Sequence, residues 1–172
     1  MYEKSIELLN KAVADEMSAI HQYMYFHFLC DDQGYDLLAN LFRQTAIEEM
    51  RHVEQLAERI LFLKGDVEMK ADTDVEKIHD VAKMLEKAVT MEQDAIKAYN
   101  HWAIEVSQHA DSRTKKMFED IVADEEGHMD RFDNEMENLS RFGQNYLALQ
   151  SIERGRSAYT GTPAPRGGEE GQ

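Results

Sequence analysis

Glu16-Met17-Ser18-Ala19-Ile20-His21-Gln22-Tyr23 recurs at an offset of 76 as Glu92-Gln93-Asp94-Ala95-Ile96-Lys97-Ala98-Tyr99, with Glu, Ala, Ile and Tyr kept in register. The same offset carries Glu49-Met50-Arg51-His52 onto Glu125-Glu126-Gly127-His128. Each half of the chain thus holds a Glu with a Tyr seven residues on, then a Glu-x-x-His. Positions i and i+3 share a helix face, so each Glu-x-x-His aims a carboxylate and an imidazole at one point. One such piece arises by chance in many helices; six residues related by one offset do not.

Around these motifs apolar residues keep the 3.6-residue period of amphipathic helices. In the first segment Ile6, Leu9, Val13, Met17, Ile20, Met24 and Phe28 form the stripe, ending near Asp31-Asp32-Gln33-Gly34. The second runs from about Tyr35 to Lys64 through Leu38, Phe42, Ala46, Glu49, Val53, Leu56, Ile60 and Leu63, with Gly65 placed to cap it. The third is expected to begin near Thr73, where Thr73 and Glu76 have capping-box spacing, and to continue through Ile78, Val81, Leu85, Ala88, Glu92, Ala95, Tyr99 and Val106. A break at His109-Ala110-Asp111-Ser112 precedes the fourth, with Phe118, Ile121, Glu125, His128, Phe132, Met136 and Leu139, closed by Gly143. Tyr146 to about Glu153 reads as a short fifth helix, and both prolines, Pro163 and Pro165, lie beyond it.

Helices of 30 residues reach about 45 Å, a length natural to a four-helix bundle. The reading is all-α: one domain over 1–154, then a flexible tail over 155–172 that is too poor in apolar residues to order itself. Tight turns make helices one and two, and three and four, antiparallel. The longer connection from Gly65 to Asp72 can run the length of the bundle and leave helices two and three parallel. At about 3.3 Å per residue those eight residues span only ~26 Å, so frayed helix ends have to contribute.

The glutamates and histidines fall inside the apolar stripes, where an ionised carboxylate is costly unless something pairs with it. Four such carboxylates carry a charge that two divalent cations match, and hard oxygens with imidazole and no thiolate suit iron or manganese. Tyr23 and Tyr99 either pack in the core or hydrogen-bond a ligand carboxylate. The chain's 34 Asp and Glu against 19 Lys and Arg give a net charge of −15, which repels nucleic-acid phosphate and favours small cations. Cys30, the single cysteine, cannot form an internal disulfide and reads as a buried thiol. No secretory pattern and no membrane-length apolar run occurs, so a cytoplasmic location and no membrane partner are expected.

Over roughly residues 1–153 the chain resembles the bacterioferritins, through Ala19-Ile20-His21-Gln22-Tyr23, Glu49-Met50-Arg51-His52, Glu58-Arg59-Ile60-Leu61-Phe62-Leu63, Asp124-Glu125-Glu126-Gly127-His128 and Asn145-Tyr146-Leu147. The resemblance implies a ferritin-like bundle in a hollow 24-subunit shell built from dimers, oxidising Fe(II) with O2 or H2O2 and storing it as mineral. Glu16 and His52 would be terminal ligands of one iron, Glu92 and His128 of the other, and Glu49 and Glu125 would bridge both. Met50 points away from that site, about 100° from Glu49 around the helix. An outward methionine can simply pack on a neighbour; the resemblance makes it the axial ligand of haem b shared across a dimer, moving electrons for iron release to or from a donor protein. Gln44 and Glu48 stand where some relatives place a second, cavity-facing iron site, and Leu56 and Arg131 where some have Tyr and Trp. Neither that inner site nor electron delivery through those aromatics is therefore expected.

Overall fold

The computed structural model describes residues 2–160. Five helices follow one another: α1 Glu3–Asp32, α2 Asp36–Phe62, α3 Val81–Gln108, α4 Ser112–Phe142 and α5 Gln144–Thr160. α1 and α2 pack as one antiparallel hairpin and α3 and α4 as another. Each reversal is built from a left-handed residue that frees the chain to turn. Gly34 at φ 83° ends α1, with Tyr35 N donating to Cys30 O at 2.8 Å. Ala110 at φ 58° ends α3, and the Asp111 carboxylate then caps α4 by accepting from Thr114 N at 3.1 Å. Gly143 at φ 57° closes α4 as its place in the sequence suggests.

Two features depart from the sequence-based reading of α2. The left-handed residue at its end is Lys64, at φ 67°, not Gly65. Gly65 serves a different purpose: a Cβ there would fall 2.6 Å from Ile6 Cγ2, so any larger residue would force the Ile6 side chain on α1 or the chain passing over it to shift.

The crossover is also longer than expected, covering 63–80, and α3 begins at Val81 rather than near Thr73. Thr73 and Glu76 form no capping box; the cap is Asp80, whose carboxylate accepts from Lys83 N at 3.0 Å. The backbone of 73–76 is committed elsewhere, because α1 side chains satisfy it. Asn10 bonds Asp66 O and Glu68 N, Ser18 Oγ accepts from Asp72 N and Thr73 N, and Gln22 exchanges two bonds with Glu76. The strand-like segment thus runs parallel to α1, closing on Gln33 Nε2 to His79 O at 3.2 Å, and α2 and α3 lie parallel. At about 3.3 Å per residue a segment of this length spans the bundle without frayed ends.

The α1 stripe is rotated from the expected one. Leu8, Leu9, Ala12, Val13, Tyr23, Phe26 and Cys30 are buried, Met17, Ile20 and Met24 are half-buried, and Phe28 is 62 % exposed. Buried Ser18 and Gln22 on α1 answer the crossover, a use of buried surface that an apolar count overlooks. The core divides into two apolar clusters, one around Leu9, Leu56, Tyr99 and Phe118, the other around Tyr23, Phe26, Phe42 and Phe132. Every long helix contributes to both, and between its two contributions lies its Glu or Glu-x-x-His. α5 extends past Glu153, where the sequence suggests an end, through 155–160; the rest of the expected tail, 161–172, lies outside the described residues.

Candidate metal centre

Four buried glutamates, one from each long helix, form the polar layer between the two clusters: Glu16, Glu49, Glu92 and Glu125 are at most 4 % exposed. His52 and His128, one turn beyond Glu49 and Glu125, turn their rings into the same layer, with centroids 5.8 Å apart. Nδ1 of His52 lies 3.4 Å from Glu16, 2.9 Å from Glu49 and 3.2 Å from Glu125. Nδ1 of His128 lies 3.0 Å from Glu49, 3.7 Å from Glu92 and 3.2 Å from Glu125. Glu16, Glu49, His52 and Glu125 therefore form one group with ligand atoms within 4.8 Å of one another, and Glu49, Glu92, Glu125 and His128 form a second. Glu49 and Glu125 belong to both.

These short approaches are not all hydrogen bonds. Both oxygens of Glu49, Oε1 of Glu125 and Nδ1 of His52 are buried with no hydrogen-bond partner, although the distances are small. The lone pairs converge on common points instead of aligning donor to acceptor. Buried polar groups are rarely left this way, and a cation between them accounts for all four atoms.

Without cations, protons carry the compensating charge. Burial drives Glu16 and Glu92 well above the usual carboxylate range, with neighbouring carboxylates adding to it. Burial, the largest single influence, would depress His52 and His128; the surrounding carboxylates, led by Glu125, outweigh it and raise both far above an ordinary imidazole. Burial would raise Glu125, but the His128 and His52 imidazoles beside it hold it well below the usual range.

Around this set stands a layer of orienting groups. Tyr23 OH donates to Glu92 Oε1 and Tyr99 OH to Glu16 Oε1, so each tyrosine bonds the glutamate of the opposite hairpin. The outer nitrogen of each histidine also meets a carboxylate: His52 Nε2 lies 3.1 Å from Asp124 Oδ2, and His128 Nε2 lies 2.8 Å from Glu48 Oε2. Glu48 and Asp124 are themselves related by the offset of 76, so the repeat extends one residue upstream of each Glu-x-x-His. That was the available signal for a pair the sequence reading did not single out. Gln44 is exposed, and Glu48 is turned to His128 and Arg131. Met50 is 49 % exposed on the outer face of α2.

A cavity of about 340 Å³ under the crossover, between α1 and α3, reaches the layer and is lined by Glu16, Glu49, Glu92 and Glu125. Exposed Asp74 and Asp94 line it too, with Asp15, whose carboxyl is pushed up to about 6 by burial and by Asp72. Among the described residues no helix is long and apolar enough to cross a membrane.

The bundle and its doubled carboxylate–histidine layer define a ferritin-like helical protein, and the model of the ferritin-like domain family matches residues 6–142. The bacterioferritin of Desulfovibrio desulfuricans is 37 % identical over 84 % of this chain and 81 % of its own, and that of Brucella melitensis 33 % identical over 82 % and 88 %. A crystal structure of the Desulfovibrio bacterioferritin, describing its diiron site in different catalytic states, superposes with a TM-score of 0.86 at 33 % identity, covering 98 % of this chain and 95 % of the other. The chain belongs to the bacterioferritins. Membership and the buried clusters together support iron storage.

Proposed function

We propose that the chain is a ferroxidase that takes up two Fe(II) ions per subunit, oxidises them with O2 or H2O2 and passes Fe(III) to a mineral store. Glu16 and His52 hold one ion, Glu92 and His128 the other, and Glu49 and Glu125 serve both. The observation that carries this reading is the pair of four-residue groups sharing Glu49 and Glu125 in a layer with unpartnered ligand atoms. Four carboxylates balance two Fe(II). Oxidation adds two positive charges that the four carboxylates alone do not balance, so the oxidised pair takes up oxide or hydroxide or leaves the layer. The acidic cavity beside Asp15, Asp74 and Asp94 supplies an approach for Fe(II). Tyr23 and Tyr99 hold the terminal glutamates, and the outer carboxylates hold the histidine rings, so that the ligand atoms are in place before the ion arrives.

Haem b fits the outer face of α2. Met50 offers a half-exposed thioether, with half-buried Ile47 one turn before it and exposed Arg43 two turns before it available for a propionate. Met50 would hold the haem, shared with a second copy, and the haem would supply one-electron transfer for iron release. The assembly is proposed as a 24-subunit shell of such dimers in the cytoplasm.

Anaerobic Fe(II) addition followed by air, read at the ultraviolet ferric band, tests the centre. A fast phase saturating at two irons per chain, with slower uptake after it, is expected, and Glu49→Ala should lose the fast phase. A wild-type protein with no fast phase would refute the ferroxidase reading.

A further inference from the structure

The two histidines are related by the repeat, but their outer partners are not equivalent. Glu48 is about one-third exposed, and its carboxylate is shared between His128 Nε2 and the guanidinium of Arg131, which reaches both oxygens. Asp124 is 61 % exposed on its side chain, and no Lys or Arg forms an ion pair with it among the described residues. Water competes for Asp124 at its hydrogen bond to His52. Glu48 is held from behind by a planar, bidentate donor that fixes the carboxylate plane and with it the imidazole plane.

We propose that Arg131, acting through Glu48, is a positioning residue that holds His128 in its ligand orientation and makes the Glu92–His128 position the tighter of the two cation positions. This rests on the two-cation reading above. An imidazole already confined to its binding orientation loses little freedom when a cation arrives, whereas a loosely tethered one must first be ordered. Carboxylates on the outer nitrogen of a ligand histidine also raise its basicity as a donor, and their removal typically weakens metal binding about 10- to 100-fold. The two positions therefore fill in order, His128 first and His52 second.

The test is an anaerobic calorimetric titration of the full-length, metal-stripped protein with Co(II), a redox-stable stand-in for Fe(II). Wild type should bind two ions in resolved steps. Arg131→Ala should weaken the first step about 10-fold and leave the second unchanged, and Arg131→Lys should recover part of the loss. Asp124→Asn should weaken only the second step. The melting temperature of stripped Arg131→Ala should stay near that of wild type, which a merely structural ion pair would not predict together with a selective affinity loss. Arg131→Ala with both steps unchanged, or with only the second weakened, overturns the proposal while leaving the two-cation centre standing. Wild type binding no Co(II) would instead overturn the centre itself.

Discussion

Glu92 and Glu125 share one buried layer, yet the first tends to keep its proton and the second gives it up. Burial dominates at Glu92, while at Glu125 two imidazolium partners overturn it. The stripped centre is therefore a proton store: Glu16, Glu92, His52 and His128 all have native values above the unfolded 4.5 or 6.5. Their contribution to the stability of the stripped fold is complete below those unfolded values and is lost as pH rises through the native ones. The stripped protein should accordingly melt at a lower temperature at about pH 9 than at about pH 6, by differential scanning calorimetry. A melting temperature that rises over that range would contradict these directions. Cation uptake must expel the same protons, so anaerobic Fe(II) binding should acidify a weakly buffered solution and tighten as pH increases, which an indicator dye reports. Tyr99→Phe should leave Glu16 without its buried donor, lowering stripped-state stability by about 1–3 kcal/mol in denaturant titration. At this scale the sequence was informative. The six inward residues were legible because the repeat doubled them, whereas the Glu48–Arg131 contact was not, since Arg131 has no matched partner in the first half: 131 less 76 falls on Gln55.

Helices were legible where apolar period and punctuation agree, as in α4 between Asp111 and Gly143, and were misread where polar side chains organise the chain. The crossover shows why. Thr73 and Glu76 satisfy a local rule for starting a helix, but Ser18 and Gln22 take their backbone groups first. No sequence window contains both partners, because the bonds join positions more than fifty apart. The segment's hold on α1 therefore depends on a few side chains, and Gln22 makes two of the bonds. Gln22→Ala should cost roughly 1–2 kcal/mol overall. It should also speed amide hydrogen exchange over 72–79 far more than in the helical cores, since the crossover can open without unfolding the bundle. Equal acceleration everywhere would show that the crossover and the bundle open as one unit.

At the scale of the whole molecule, the division of labour between inward and outward faces of α2 follows from one turn of helix. Glu49 and His52 face the buried layer, and Met50 between them faces out, so a change at Met50 removes nothing from that layer. Large apolar side chains elsewhere on the surface, among them Phe28, Leu37, Leu61 and Phe62, are 48–71 % exposed and call for cover that a single chain does not supply. Copies of the chain are the occupant the proposed shell requires. If haem is bound by Met50 between two copies, Met50→Ala should abolish the visible haem band in the purified protein. The same variant should keep the fast Fe(II) oxidation phase at its wild-type rate and keep its assembly mass by light scattering, while reductive release of stored iron slows. A variant that keeps its haem would remove Met50 from the haem site. One that loses the fast oxidation phase with its assembly intact would mean that the two faces of α2 are coupled, and that the outer face takes part in oxidation as well as release.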